Sequence, residues 1–154
     1  MAGTYTQLHI QVVFAVAGRA CLIPTKHQEQ LNQYISGIIA NKGQKALAVN
    51  GMPDHMHVLL GLRPETALAD VVRDIKANAS RFINEQRWVA GKFAWQRGYG
   101  AFSYSASHLD QVIRYIHNQQ AHHANRSFQA EYQELLNRFG IGYDPRYLFD
   151  SAAE

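Results

Sequence analysis

The chain has 154 residues, 47% apolar and 18% charged, which suits one globular domain with its own core and excludes a disordered or fibrous polymer. Its 15 Lys and Arg against 12 Asp and Glu leave a net charge of +3, compatible with a polyanionic partner without demanding one. The single Cys21 excludes an internal disulfide, and no leader-like segment or bilayer-length apolar run is present, so one soluble cytoplasmic domain over residues 1–154 is expected.

Residues 5–14 alternate, with Leu8, Ile10, Val12 and Phe14 on one face and Gln7, His9 and Gln11 on the other, which predicts a half-buried strand. Gly18, Arg19 and Pro24 mark a loop, and Thr25 is the expected N-cap of a helix carrying Leu31, Tyr34, Ile35, Ile38 and Ile39 and stopping near Gly43. Residues 45–51 predict a second strand that turns through Pro53-Asp54 into a third, running from His55 to about Leu62. After Pro64, Leu68, Val71, Val72, Ile75, Ala79, Phe82 and Ile83 trace an amphipathic helix. The aromatic, glycine-broken residues 93–104 predict a fourth strand. Ser107 is the expected cap of a long helix from His108 to His123, followed by a shorter one over 127–138 and an irregular tail. The order β-α-β-β-α-β predicts an α+β fold: a ferredoxin-like split β-α-β antiparallel sheet, helices on one face, and a tyrosine-bearing helix toward the C-terminus. The third strand would be central, beside the first.

Residues two apart on a strand share a face. Met56, Val58, Leu60 and Leu62 therefore line the core side of the third strand, and His55 and His57 stand together on the other. Two imidazoles on a rigid strand can chelate one ion, although a solvated His-x-His is the plain rival. On the long helix, Leu109, Val112, Ile113 and Ile116 form the buried stripe, while Tyr115 and Gln119, four apart, share one flank. A phenol, a carboxamide oxygen and two imidazoles could thus form a divalent-metal site with a nucleophile beside it. Such a set could polarise a phosphodiester and let the tyrosine attack phosphorus.

The residues Pro53-Asp54-His55-Met56-His57-Val58-Leu59-Leu60, Trp95 to Ser103, Tyr115 to His123 and Tyr143 to Phe149 together resemble the single-tyrosine HUH transposases of the smallest bacterial insertion sequences. The resemblance implies an enzyme that cleaves and rejoins single-stranded DNA at hairpin-bearing element ends through a covalent 5′-phosphotyrosine. It implies Tyr115 as nucleophile and His55, His57 and Gln119 as ligands of Mg²⁺ or Mn²⁺. Ligand softness separately favours Mn²⁺ or Zn²⁺ at two imidazoles. The resemblance further implies a homodimer in which the tyrosine helix acts in trans. A domesticated relative that processes chromosomal palindromes would share the chemistry; an inactive nucleic-acid-binding regulator, or a metallohydrolase, would not use Tyr115.

For phosphate contacts the candidates are Arg97, beside Trp95 and Tyr99 as stacking surfaces, and Lys76 and Arg81 on the second helix. His122 and His123 are candidate extra ligands or phosphate contacts, with solvation at a helix end as the plainer role. His9 is a candidate to orient a metal ligand.

Overall fold

The computed structural model describes residues 3–124, 126–146 and 148. Tyr147 and Phe149 of the closing block, and Asp150 at the end of the expected tail, lie outside the described residues. Four strands, β1 (His9–Ala15), β2 (Lys45–Met52), β3 (His55–Gly61) and β4 (Gly100–Tyr104), form one sheet in the order β2-β3-β1-β4. Every pairing is antiparallel, and β1 and β3 are central as expected. The helices are α1 (Gln28–Asn41), α2 (Leu68–Gln86), α3 (Leu109–His117), α4 (Gln119–His122) and α5 (Phe128–Arg138). Among the described residues no helix is long and apolar enough to cross a membrane.

Strand alternation sorts the side chains into two cores. Val12, Phe14, Met56, Val58 and Leu60 pack on Leu31, Ile35 and Ile39 of α1 and on Val72, Ile75 and Ala79 of α2. On the other face Ala48 and Leu59 meet Val112 and Ile116 of α3, while Val13 and Phe102 meet Phe128, Leu135 and Leu136 of α5. The sheet is therefore covered on both sides, by α1 and α2 on one and by α3 and α5 on the other. The polar face of β1 changes meaning accordingly: Gln11 is 0% exposed, because α3 and α5 close over it.

Three expected boundaries shift. The fourth strand is only Gly100–Tyr104, because Gly98 takes a left-handed turn at φ 78° and the segment before it is drawn into the first core. There Trp95 is buried against Phe14 and Phe93, its Nε1 donating to the Lys76 carbonyl at 3.0 Å. Neither Thr25 nor Ser107 caps its helix by a side-chain bond; each lies in a 3-10 turn that leads in. Finally, the long helix expected from His108 to His123 breaks at Asn118, whose φ of −95° and ψ of 20° leave the helical range. Its cause sits on β2. Asn50 Nδ2 donates to the carbonyls of Ile116 at 3.0 Å and His117 at 3.3 Å, acceptors that an unbroken helix would keep for itself.

Candidate active site

The hairpin between β2 and β3 sets the first two residues of the site. Pro53 and Asp54 form its turn, and Gly51 passes so close to the returning strand that an added Cβ would lie 2.4 Å from the His55 carbonyl oxygen. That tight return buries His55 and His57 completely on the face toward α3 and α5. Their rings meet edge to face at 5.1 Å, and Phe128 stacks on His55 at 4.1 Å, walling the site from the α5 side.

Each imidazole is held from behind. His55 Nδ1 lies 2.6 Å from the Asp54 carboxylate, and His57 Nδ1 lies 2.8 Å from the Gln11 amide, which also accepts from the Tyr104 hydroxyl at 2.8 Å. Thus Gln11, not His9, steadies the pair; His9 sits on the same face of β1 but opposite Gly61, at the far end. The break at Asn118 carries Gln119 inward, so it is 0% exposed instead of lying on a solvated flank. Its Oε1 stands 3.2 Å from His55 Nε2. Tyr115 comes in beside it, its ring 5.8 Å from that of His57.

At the centre is a residue that periodicity could not single out. Glu131 of α5 is 1% exposed, and its Oε1 lies 3.0 Å from both His57 Nε2 and His123 Nε2 and 3.5 Å from His55 Nε2. Its Oε2 accepts the Tyr115 hydroxyl and, at 3.2 Å, the Gln119 amide. His55, His57, His123 and Glu131 each offer one ligand atom, all within 4.8 Å of one another, so this group could hold a metal ion. His122 stays at the margin, its Nε2 3.7 Å from Glu131 Oε2. The only sequence signal for Glu131 was a carboxylate on the inward stripe of an amphipathic helix, where acids are seldom buried without partners.

The charges respond to this crowding. Burial opposes the Glu131 anion, but hydrogen bonds from His123, His55 and His57 overcome it and hold the carboxyl far below its ordinary range. Burial also opposes a charged His55, yet Asp54 and Glu131 raise its pKa above the usual imidazole value. For His57 burial prevails and the pKa falls. Burial first, and the Glu131 charge second, push the Tyr115 phenol well above its ordinary value.

The expected phosphate contacts separate. Lys76 is 3% exposed, and its ammonium donates to the carbonyls of Gln96 at 2.9 Å and Gly98 at 3.0 Å, so it anchors the loop before β4 instead of facing solvent. Trp95 is likewise core and offers no stacking face. Arg97 is exposed and lines a cleft with Tyr99, while Arg81 is exposed near Arg87 and Lys92 at the end of α2. A separate cavity of about 500 Å³ opens at Tyr115, bordered by Tyr104, His108, Gln111, Arg138 and Phe139.

The family described as "Transposase IS200 like" matches residues 4–119. The ISDra2 transposase TnpA of Deinococcus radiodurans is 27% identical over 124 residues, spanning 76% of this chain and 87% of that protein. A crystal structure of a transposase candidate from Deinococcus radiodurans R1 superposes with a TM-score of 0.62 at 24% identity, covering 77% of this chain and 95% of the other. A REP-associated tyrosine transposase bound to a REP hairpin superposes with a TM-score of 0.60 at 13% identity, covering 99% and 92%. The two structural likenesses speak for the fold, a four-stranded antiparallel sheet with helices.

Proposed function

The chain belongs to the IS200-like transposases, and from that premise we propose that it cuts and rejoins single-stranded DNA at mobile-element ends through a tyrosine–phosphate ester. In this reading Tyr115 Oη attacks the scissile phosphorus and the bond from phosphorus to the 3′ oxygen breaks. The products are a 5′-phosphotyrosine and a free 3′-hydroxyl end. The phenolic proton moves along its hydrogen bond toward Glu131 Oε2, the acceptor it faces, only as phosphorus bonds the phenolic oxygen, and it ends on the departing 3′ oxygen. Because the ester formed matches the bond broken, a second 3′-hydroxyl can attack it, regenerate the phenol and join a new strand.

His55, His57 and Gln119 would hold the divalent ion, Mg²⁺ or Mn²⁺. Bound there, it would supply Lewis acidity to the phosphodiester and offset the charge that builds during displacement. Support for the fit comes from the donor set: His55 Nε2 lies 3.2 Å from the Gln119 oxygen in a buried pocket that His57, its ring 5.1 Å from that of His55, also lines. The single observation that carries the reading is the Tyr115 hydroxyl meeting that pocket from the next helix, beside His57.

Single-stranded DNA with hairpins is the proposed substrate, with Arg97 and Arg81 as its phosphate contacts; the buried Lys76 is better suited to shaping the loop that presents Arg97. A homodimer is proposed from the resemblance alone. Contacts between Tyr115 and its own chain's Glu131 support a site completed in cis, not by exchange of helices.

The test is incubation with labelled single-stranded DNA carrying candidate element-end hairpins, with Mg²⁺ or Mn²⁺, followed by a denaturing gel. A covalent protein–DNA band that vanishes in Tyr115→Phe is expected. Binding without any such band, across both ions and several ends, would replace this reading with that of a regulator.

A further inference from the structure

We infer that His123 and Glu131, both beyond the stretch that the family match covers, are ligands of the same ion as His55 and His57. The inference rests on the metal-dependent reading above and extends its ligand set.

The argument is one of protons and lone pairs. A neutral imidazole has a single N–H. His123 Nδ1 lies 2.7 Å from the Arg126 carbonyl oxygen, which can only accept, so the proton of that ring points outward. His55 Nδ1 faces the Asp54 carboxylate at 2.6 Å, another acceptor, and is committed the same way. When both rings are neutral, as metal ligation requires, both Nε2 atoms therefore turn lone pairs inward. What they meet is Glu131 Oε1, at 3.0 Å and 3.5 Å, and for His55 also Gln119 Oε1 at 3.2 Å. Four acceptor atoms facing one another in a buried space need positive charge among them, which protons on the rings supply in the metal-free chain and a metal ion would supply in their place.

The third ring is adaptable. Gln11 can turn its carboxamide oxygen to His57 Nδ1, because the Tyr104 hydroxyl at its other end is donor or acceptor as needed. His57 Nε2, 3.0 Å from Glu131 Oε1, is then free to ligate as well. The spacing agrees with the chemistry. Ligand bonds of about 2.1 Å set neighbouring donors about 3 Å apart in an octahedral shell and slightly farther in a tetrahedral one. The observed separations of 3.0, 3.0, 3.2 and 3.5 Å are of that size. Three imidazoles and a carboxylate also move the preference from Mg²⁺ toward Mn²⁺, Co²⁺ or Zn²⁺.

The experiment is titration of the full chain with Co²⁺ and Mn²⁺, read by calorimetry and by the Co²⁺ visible absorption bands, for the wild type, Glu131→Gln, His123→Asn and, as reference, His55→Asn. Expected are one ion per wild-type chain, binding weakened at least ten-fold in Glu131→Gln and in His123→Asn, and Co²⁺ bands altered in both. Should both variants bind like the wild type with unchanged bands while His55→Asn fails, this inference falls and the His55–His57–Gln119 reading stands. A wild type that takes up neither ion would overturn both. If Glu131→Gln loses its folded circular dichroism, His123→Asn, at a partly exposed position, decides alone.

Discussion

Tyr115 and Glu131, sixteen residues apart and on different helices, meet through a hydrogen bond from the phenol to the carboxylate. The bond ties α3 to α5 and adds to the burial that keeps the phenol protonated. Tyr115 is held protonated by burial and by the Glu131 charge. In the unfolded chain a tyrosine ionises near pH 10. Above that pH the unfolded chain has lost a proton that the folded chain keeps, so the Tyr115 contribution to stability is complete below pH 10 and disappears as pH rises further. Metal-free protein should therefore lose denaturant stability progressively as pH rises above about 10. Tyr115→Phe should flatten the decline without removing it, because Tyr132 is also pushed up, to about 12. Urea titrations at successive pH values check this, and an equally steep decline in the variant would count against the coupling.

Asn50 should act on Tyr115 and Gln119 from a distance. Its amide bonds the Ile116 and His117 carbonyls and the Gln120 side chain, holding the break at Asn118. Asn50→Ala leaves those carbonyls unpaired by it, at a cost of about 1–3 kcal/mol in stability. The helix can then run on through Asn118, which would rotate Gln119 away from His55. We expect a lower thermal midpoint together with a loss of covalent DNA adduct that exceeds what unfolding accounts for. A stability loss with adduct yield intact per folded molecule would show that the break does not position the site.

The histidine strand was legible because β structure has a period of two: once Met56, Val58 and Leu60 face a core, His55 and His57 must share the other side. Sheet order followed from the element order. Gln11 shared that polar face too, yet its burial was hidden, since nothing local announces that α3 and α5 fold back over β1. The break at Asn118 was hidden for the same reason: its cause, Asn50, lies 66 residues away from Ile116 in the chain. Glu131 joins the cluster only through the packing of α5, which helical periodicity describes but cannot dock, whereas His123, a candidate ligand by sequence, reaches it from the end of α4. Lys76 misled because a lysine on an amphipathic helix normally reaches solvent, whereas here two loop carbonyls capture it.

That capture separates Lys76 from Arg97 experimentally. Neutralising a residue that contacts phosphate lowers the slope of log affinity against log salt by about one. Arg97→Gln is expected to do so on single-stranded DNA. Lys76→Gln should leave the slope alone and instead lower the melting temperature, since two buried carbonyls lose their partner. A reduced slope in folded Lys76→Gln would return the residue to the DNA surface.

Gly51→Ala should disturb the hairpin that delivers the histidines. The new Cβ would stand 2.4 Å from the His55 carbonyl oxygen and 2.4 Å from Met56 Sδ, and the backbone oxygen cannot move without the strand. Overpacking of this kind costs about 1–3 kcal/mol. A chemical-denaturation midpoint equal to that of the wild type would mean that β2 and β3 separate more easily than their register suggests.

Whether the site works in cis can be read by mixing two inactive proteins. Tyr115→Phe keeps the histidines, and His57→Ala keeps the tyrosine. If helices carrying Tyr115 were exchanged between subunits, a mixed dimer would contain one site with both an intact tyrosine and intact histidines, and covalent adduct would reappear. In the folded chain, however, Tyr115 reaches Glu131 and lies against His57 of the same molecule, and Asn50 pins the far side of the same break. Exchange would require breaking all three contacts. We therefore expect no adduct from the mixture after prolonged co-incubation, with each variant's fold verified by circular dichroism. Adduct recovered toward the statistical fraction of mixed dimers would show instead that the tyrosine helix is swapped, and that its contacts here are those it makes on a partner's sheet.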